Sequence, residues 1–263
     1  MPITTTDLKN LGYAGAAEVA GVRCLFSAGG FNKEVALSYL DAYDIPASSP
    51  GPSGSRSRVK HADGVATYGG SISLDVTDDF LTILNVNQLL SRRYPFTVKI
   101  HDGENAKEMA NCYVTSLTLA GTTGSLLTAE ISFASAAEAV VSLFSPTFLR
   151  DQTIYGYWYS GNTNVKDWNL VMNQDVQPVY SNEDSISPRY MKTGLIDFNL
   201  TVTTYEQLYA HYIINIVTKT FTLKGTTQSS GYTFNGVSDL GTYSHSFATA
   251  GDAMVGSSDP IIS

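Results

Sequence analysis

Cysteine is nearly absent: Cys24 and Cys112 are the only two in a chain of 263 residues. That is too few for a disulfide-built scaffold, and neither has the CxxC or Cys/His spacing of a metal site. Both read as buried or half-buried thiols. Charge is scarce as well, at 15% of residues against about 25% in an ordinary soluble domain. Lys and Arg number 16 against 24 Asp and Glu, a net charge of −8, which argues against a surface that wraps nucleic acid by neutralising phosphates. No stretch holds 18 uninterrupted apolar residues, and MPITTTDLKNLGYAGAAEVAG has no basic start before an apolar core. Neither a membrane span nor an export signal is therefore expected.

The vocabulary of catalysis is thin too. The four histidines, His61, His101, His211 and His245, form no HxxxH or HExxH pair, and no GxSxG elbow, Walker loop or GxGxxG precedes a helix. Asp75, Asp78 and Asp79 form the densest acidic group, read as the start of a capped helix rather than an acid-base pair or cation site. HDGEN at His101 to Asn105 reads as a polar turn between strands. The sequence predicts no enzyme, no metal and no cofactor. A hydrolase stays as a remote rival only, because no nucleophile with its base can be picked out.

What is present is alternation. SISLDV from Ser71, FTVKI from Phe96 and LIDFNLTV from Leu195 place apolar residues at period two, the mark of half-buried strands. YVTSLTL from Tyr113 and LLTAEISF from Leu126 do the same on either side of AGTTG, which predicts a hairpin. Val22 to Val35 reads as two strands around a turn at Gly29-Gly30, and Gly69-Gly70 as the start of a strand; these glycines act as backbone devices.

Two segments carry helical spacing. In the first, Thr77 is the N-cap, Asp78 and Asp79 fill the first turn, Phe80, Ile83 and Leu84 lead an apolar face running to Leu90, and Pro95 stops it. In the second, Thr204 and Gln207 have capping-box spacing ahead of Tyr205, Leu208, Tyr209, Tyr212, Ile213, Ile216 and Val217. Aligning the halves pairs Phe80 with Tyr205 and Phe96 with Phe221 at a constant offset, and Gly70 with Gly194, which predicts an internal duplication.

The expected fold is mainly β, with two similar sandwich-like or barrel-like domains, each carrying one packed helix. Residues 1–140 would hold the first, with an N-terminal arm and a long loop over 46–58, and residues 141–263 the second, with a C-terminal tail. Residues 138–151 are the join. YGYWYS at Tyr155 to Ser160 alternates aromatic and small side chains. An exposed row of Tyr155, Tyr157 and Tyr159 would suit a carbohydrate-binding or adhesin module, while a core or subunit-interface role suits the same pattern. Little charge, much β structure, a long loop and free arms favour self-assembly.

The order of a hairpin, the long loop Ser48 to Arg58, the strand GGSISLDV, the helix DDFLTILNVNQLL, FTVKI and the late hairpin YVTSLTLAGTTGSLLTAEISF resembles that of bacteriophage tail tube proteins. The resemblance covers most of residues 20–137 and, more weakly, 152–250. It implies a virion structural protein, assembled in the host cytoplasm, whose copies form hexameric rings. With two tube domains per chain the rings would be trimeric and pseudo-sixfold. Stacked rings would form a tube, with or without a sheath, through which DNA passes without specific binding and without a membrane. Tail tip or baseplate, tape-measure and terminator proteins would be its partners. The resemblance also implies inter-ring or inter-subunit contacts through Ser48, Pro50, Gly51, Pro52, Ser53, Gly54, Arg56 and Arg58 of the loop. In the arm, the corresponding residues are Thr4, Asp7, Leu8, Leu11 and Tyr13. Phe80, Ile83, Leu84, Tyr205, Tyr209 and Tyr212 are expected to pack the helices. A distal tail or secretion-tube component would share the fold, and an adhesin module is the binding-class alternative.

Overall fold

The computed structural model describes residues 16–40, 60–84, 89, 95–101, 105–143, 164–181, 186–207, 212–216, 219–223, 227–234 and 240–249. These residues are mainly β, with thirteen strands and one short helix. Six of the strands close on themselves, all through antiparallel pairs. β1 (Ala16–Val19) lies between β2 (Val22–Leu40) and β4 (Phe96–His101). β2 pairs with β3 (Lys60–Asp75), β3 with β6 (Thr128–Ser135), β6 with β5 (Ala106–Thr122), and β5 returns to β4. Closure satisfies the backbone groups that an open sheet would leave bare.

β5 belongs to two neighbourhoods, and its irregularities make that possible. Its first half, up to Cys112, pairs with β4, whereas Ser116 to Thr122 pair with β8 (Val165–Val179). Asn111 has φ +54 where the register with β4 slips, and a second slip falls between Val114 and Ser116. An extra residue in one strand turns the side chains over and bends it. Buried positions accordingly move from Met109 to Cys112 and Val114, then to Leu117 and Leu119.

Beyond β8 the sheet continues through β9 (Tyr190–Thr204) and β13 (Thr242–Thr249) to β12 (Thr227–Thr233). β7 (Val140–Ser142) pairs with the start of β5. The core is one cluster that runs from Ala17, Ile72 and Phe133 in the barrel to Trp168, Leu200 and Phe247 beyond it. Phe133 meets Phe31 and Phe96 edge-on at 6.1 and 6.2 Å. Trp168 lies against Gly121, its register partner, where a Cβ would come within 2.7 Å of the indole Nε1.

The helix, α1 (Asp78–Ile83), starts as its sequence predicts: Thr77 Oγ1 accepts from the Phe80 amide at 3.3 Å, and Phe80, Leu81 and Ile83 are buried. It is shorter than its apolar pattern, with its C-cap at Leu84. One and a half turns cannot hold together alone in water, so packing maintains them.

Two expectations are corrected. Gly29-Gly30 is not a turn: β2 runs through it without a break, and Gly69-Gly70 likewise lies inside β3. A bulge at Ser27 and the φ of +150 at Gly29 bend the strand instead. The second helix is replaced by a hairpin, β10 (Tyr212–Ile216) with β11 (Lys219–Leu223). Tyr212, Ile214 and Ile216 also fit period two, and β-branched and aromatic side chains favour the pleated form. Thr204 ends β9 and turns its hydroxyl to the Glu206 carbonyl, so it caps no helix. Tyr205, matched in sequence to buried Phe80, is exposed, and Tyr212 sits opposite Leu223 in the hairpin. Tyr209 lies outside the described residues.

Candidate assembly surface

Several sheet borders lack a strand partner among the described residues. β12 pairs only with β13, β7 only with β5, β2 beyond Cys24 only with β3, and β10 and β11 only with each other. The first two carry an unusual surface. Val140, Val141 and Leu143, at and just past β7, are 59%, 79% and 99% exposed. Tyr232 and Phe234 at the end of β12 are also more than half exposed, as is Leu240 on the approach to β13. Neither AVVSLF at 139–144 nor SSGYTF at 229–234 contains a charged residue. Edge strands of monomers are commonly guarded by a Lys or a Pro, and neither stretch contains one; β7 is guarded only by its length of three residues and β12 by a register slip between Thr227 and Ser229.

β7 borders a slot of about 180 Å³ at one end of the barrel, lined by Phe31, Lys33, Tyr68, Met109, Val140 and Val141 among others. Lys33 spans it, 2.9 Å from Glu138 and 5.8 Å from the centre of the Tyr68 ring. The Glu138 hydrogen bond raises the Lys33 pKa above its ordinary value. Tyr68 Oη contacts Ser187 Oγ at 2.7 Å, and the Ala66 amide donates to the Ile186 carbonyl at 2.8 Å. The β8–β9 connection is thereby tied to β3. On the outside of the barrel Lys99 lies 3.9 Å from Glu18 and 3.4 Å from Glu108. Such half-exposed pairs contribute about 0–1 kcal/mol each and mainly keep that face wetted.

Potentially reactive groups are turned inward. Cys24 and Cys112 are free and buried, and burial pushes each thiol up to about 12, far from a nucleophile's range. His245 is fully buried in β13, its ring near Tyr243 and Phe247, and burial lowers its pKa. Asp78 and Asp79 sit in the first turn of α1, and no group of three His, Cys, Asp or Glu side chains able to hold a metal occurs among the described residues.

The sequence-predicted contact residues fall unevenly. Phe80, Ile83 and Leu84 are buried in the one core cluster. Ser48, Pro50, Gly51, Pro52, Ser53, Gly54, Arg56 and Arg58 lie outside the described residues, as do Thr4, Asp7, Leu8, Leu11 and Tyr13 and the row Tyr155, Tyr157 and Tyr159. The loop's anchors are described: Leu40 pairs with Lys60 at the far end of the β2–β3 hairpin. The exposed apolar edges at Val140–Leu143 and Tyr232–Phe234 were not anticipated. Their signal was the lack of charge, which alone does not separate a core strand from an edge. No protein-family model matches the chain, and no curated protein matches it.

Proposed function

We propose that the protein is a self-assembling structural subunit of the phage tail-tube type. Copies join side by side into rings, and the rings stack into a hollow tube that conducts DNA. The observation that carries this reading is the pair of uncharged, exposed apolar borders, β7 and β12, at different places on one sheet system. Two unlike edges on a rigid body favour head-to-tail contacts, which close into a ring when the rotation between copies allows. The barrel supplies the rigid body. Net charge −8 suits passage of DNA rather than its capture, since an excess of negative charge on the subunit repels phosphates. The loop's anchors, Leu40 and Lys60, are the last pair at the far end of the β2–β3 hairpin, a placement suited to contact with the next ring.

Electron microscopy of the concentrated protein, with rotational averaging of end views, tests the reading. Stacked rings with an open lumen and threefold or sixfold symmetry are expected, and deletion of Ser48 to Arg58 should leave rings that do not stack. Compact monomers at every concentration would overturn it.

A further inference from the structure

We propose that the two apolar borders are partners of each other. The aromatic corner at the end of β12 in one copy docks on β7 of the next, with Phe234 in the slot and Glu206 against Lys107. This contact names the partner surfaces within the assembly reading and rests on that reading. Each border carries one lone charge, and the two are opposite in sign. Lys107 is the register partner of Val141, so a cation stands beside the more exposed valine of β7. Thr204 pairs with Tyr243, and Tyr243 with Tyr232. Tyr205 and Glu206 therefore leave β9 at the end of the sheet that carries Tyr232 and Phe234. Lys107 and Glu206 are exposed, and neither forms an ion pair among the described residues. Complementary charges of this kind fix the register of a contact and disfavour wrong ones.

The slot fits the ring. It measures about 180 Å³, and an apolar cavity of about 150 Å³ is enough to hold benzene. Phe31, Met109 and Val141 give it apolar walls. The Lys33 ammonium, 5.8 Å from the Tyr68 ring centre, offers a cation to the face of a second ring. Within the corner Phe234 is the ring at liberty. Tyr232 lies 4.8 Å from Tyr243, whereas Phe234 is 57% exposed and has no ring contact among the described residues. The two surfaces also lie at opposite ends of β5. β7 pairs with its start at Ala106–Glu108, while Thr122 at its other end pairs with Asp167, two residues from Val165, the register partner of Thr204. No copy can then fill its own slot, and a head-to-tail contact between copies follows.

Charge reversal in the full-length chain tests it. Lys107→Glu and Glu206→Lys should each raise the concentration needed for assembly by about tenfold, as like charges brought together do, and the chain carrying both should regain native assembly. Sedimentation reads the assembly, and circular dichroism checks the fold. A double reversal that assembles no better than the single ones would overturn the proposal. Thiols give a second answer. Val141→Cys chains mixed with Phe234→Cys chains should form mixed disulfide dimers on mild oxidation. Neither variant alone should link, since Cys24 and Cys112 are buried. Phe234→Cys chains linked to one another, or no link at concentrations where the native chain assembles, would overturn the contact and leave the assembly reading in place. A native chain that stays monomeric at every concentration would remove that reading and the contact with it.

Discussion

Gly70 shows how little room barrel closure leaves. A Cβ there would stand 2.3 Å from the Gly30 carbonyl oxygen and 2.9 Å from Phe133 Cζ, inside a sheet paired on both sides. Gly70→Ala is therefore expected to lower stability by about 2 kcal/mol, as overpacking does, and urea unfolding should report it as a lower midpoint with an unchanged slope. Gly30→Ala, facing open space, should stay within about 0.5 kcal/mol of the native protein. His245 supplies a pH test. Burial holds its pKa below the ordinary 6.5, so the folded chain stays neutral there while the unfolded chain takes up a proton. Stability from this residue is complete above about pH 6.5 and falls as the pH drops toward the folded value, by at most about 1.4 kcal/mol per pH unit. Urea midpoints from pH 7.5 to 5.5 should fall more steeply for the native protein than for His245→Gln. Parallel slopes would remove His245 as the cause.

The elements divide by how local their causes are. Period two in SISLDV, FTVKI and LIDFNLTV identifies parts of β3, β4 and β9, and the spacing of YVTSLTL and LLTAEISF identifies the β5–β6 hairpin, because each signal lies within a few residues. The start of α1 was legible for the same reason. Thr77→Ala removes the oxygen that receives the Phe80 amide and should cost about 1 kcal/mol in thermal or urea unfolding, while Thr77→Ser should keep most of it. Tyr212 to Ile216 was misread because its apolar residues satisfy both periods over so short a run, and its strand partner Lys219–Leu223 arbitrates. The passage of β2 through Gly29-Gly30 was hidden too, since a glycine pair marks a turn as readily as a bend inside a strand. Nor could any local pattern announce that Ser116–Thr122 would pair with Asp167–Asn173, joining the two halves through β5.

At the scale of the whole molecule the question is which surface meets the next copy, and charge at the borders separates the candidates. Val141 and Phe234 are 79% and 57% exposed, so a lysine at either position disturbs little packing within the subunit. A lysine on an edge must be stripped of water when another strand or apolar face docks there, and in a ring the cost repeats at every interface. The Val141→Lys, Phe234→Lys variant should therefore fold with native circular dichroism and an unfolding midpoint close to that of the native chain, yet stay monomeric by sedimentation at concentrations where the native chain assembles. Loss of the fold in this variant would show that these side chains serve the subunit itself. Normal assembly would exclude β7 and β12 as contact borders and move the contact to the β2–β3 hairpin and its loop, where the loop deletion gives the independent answer.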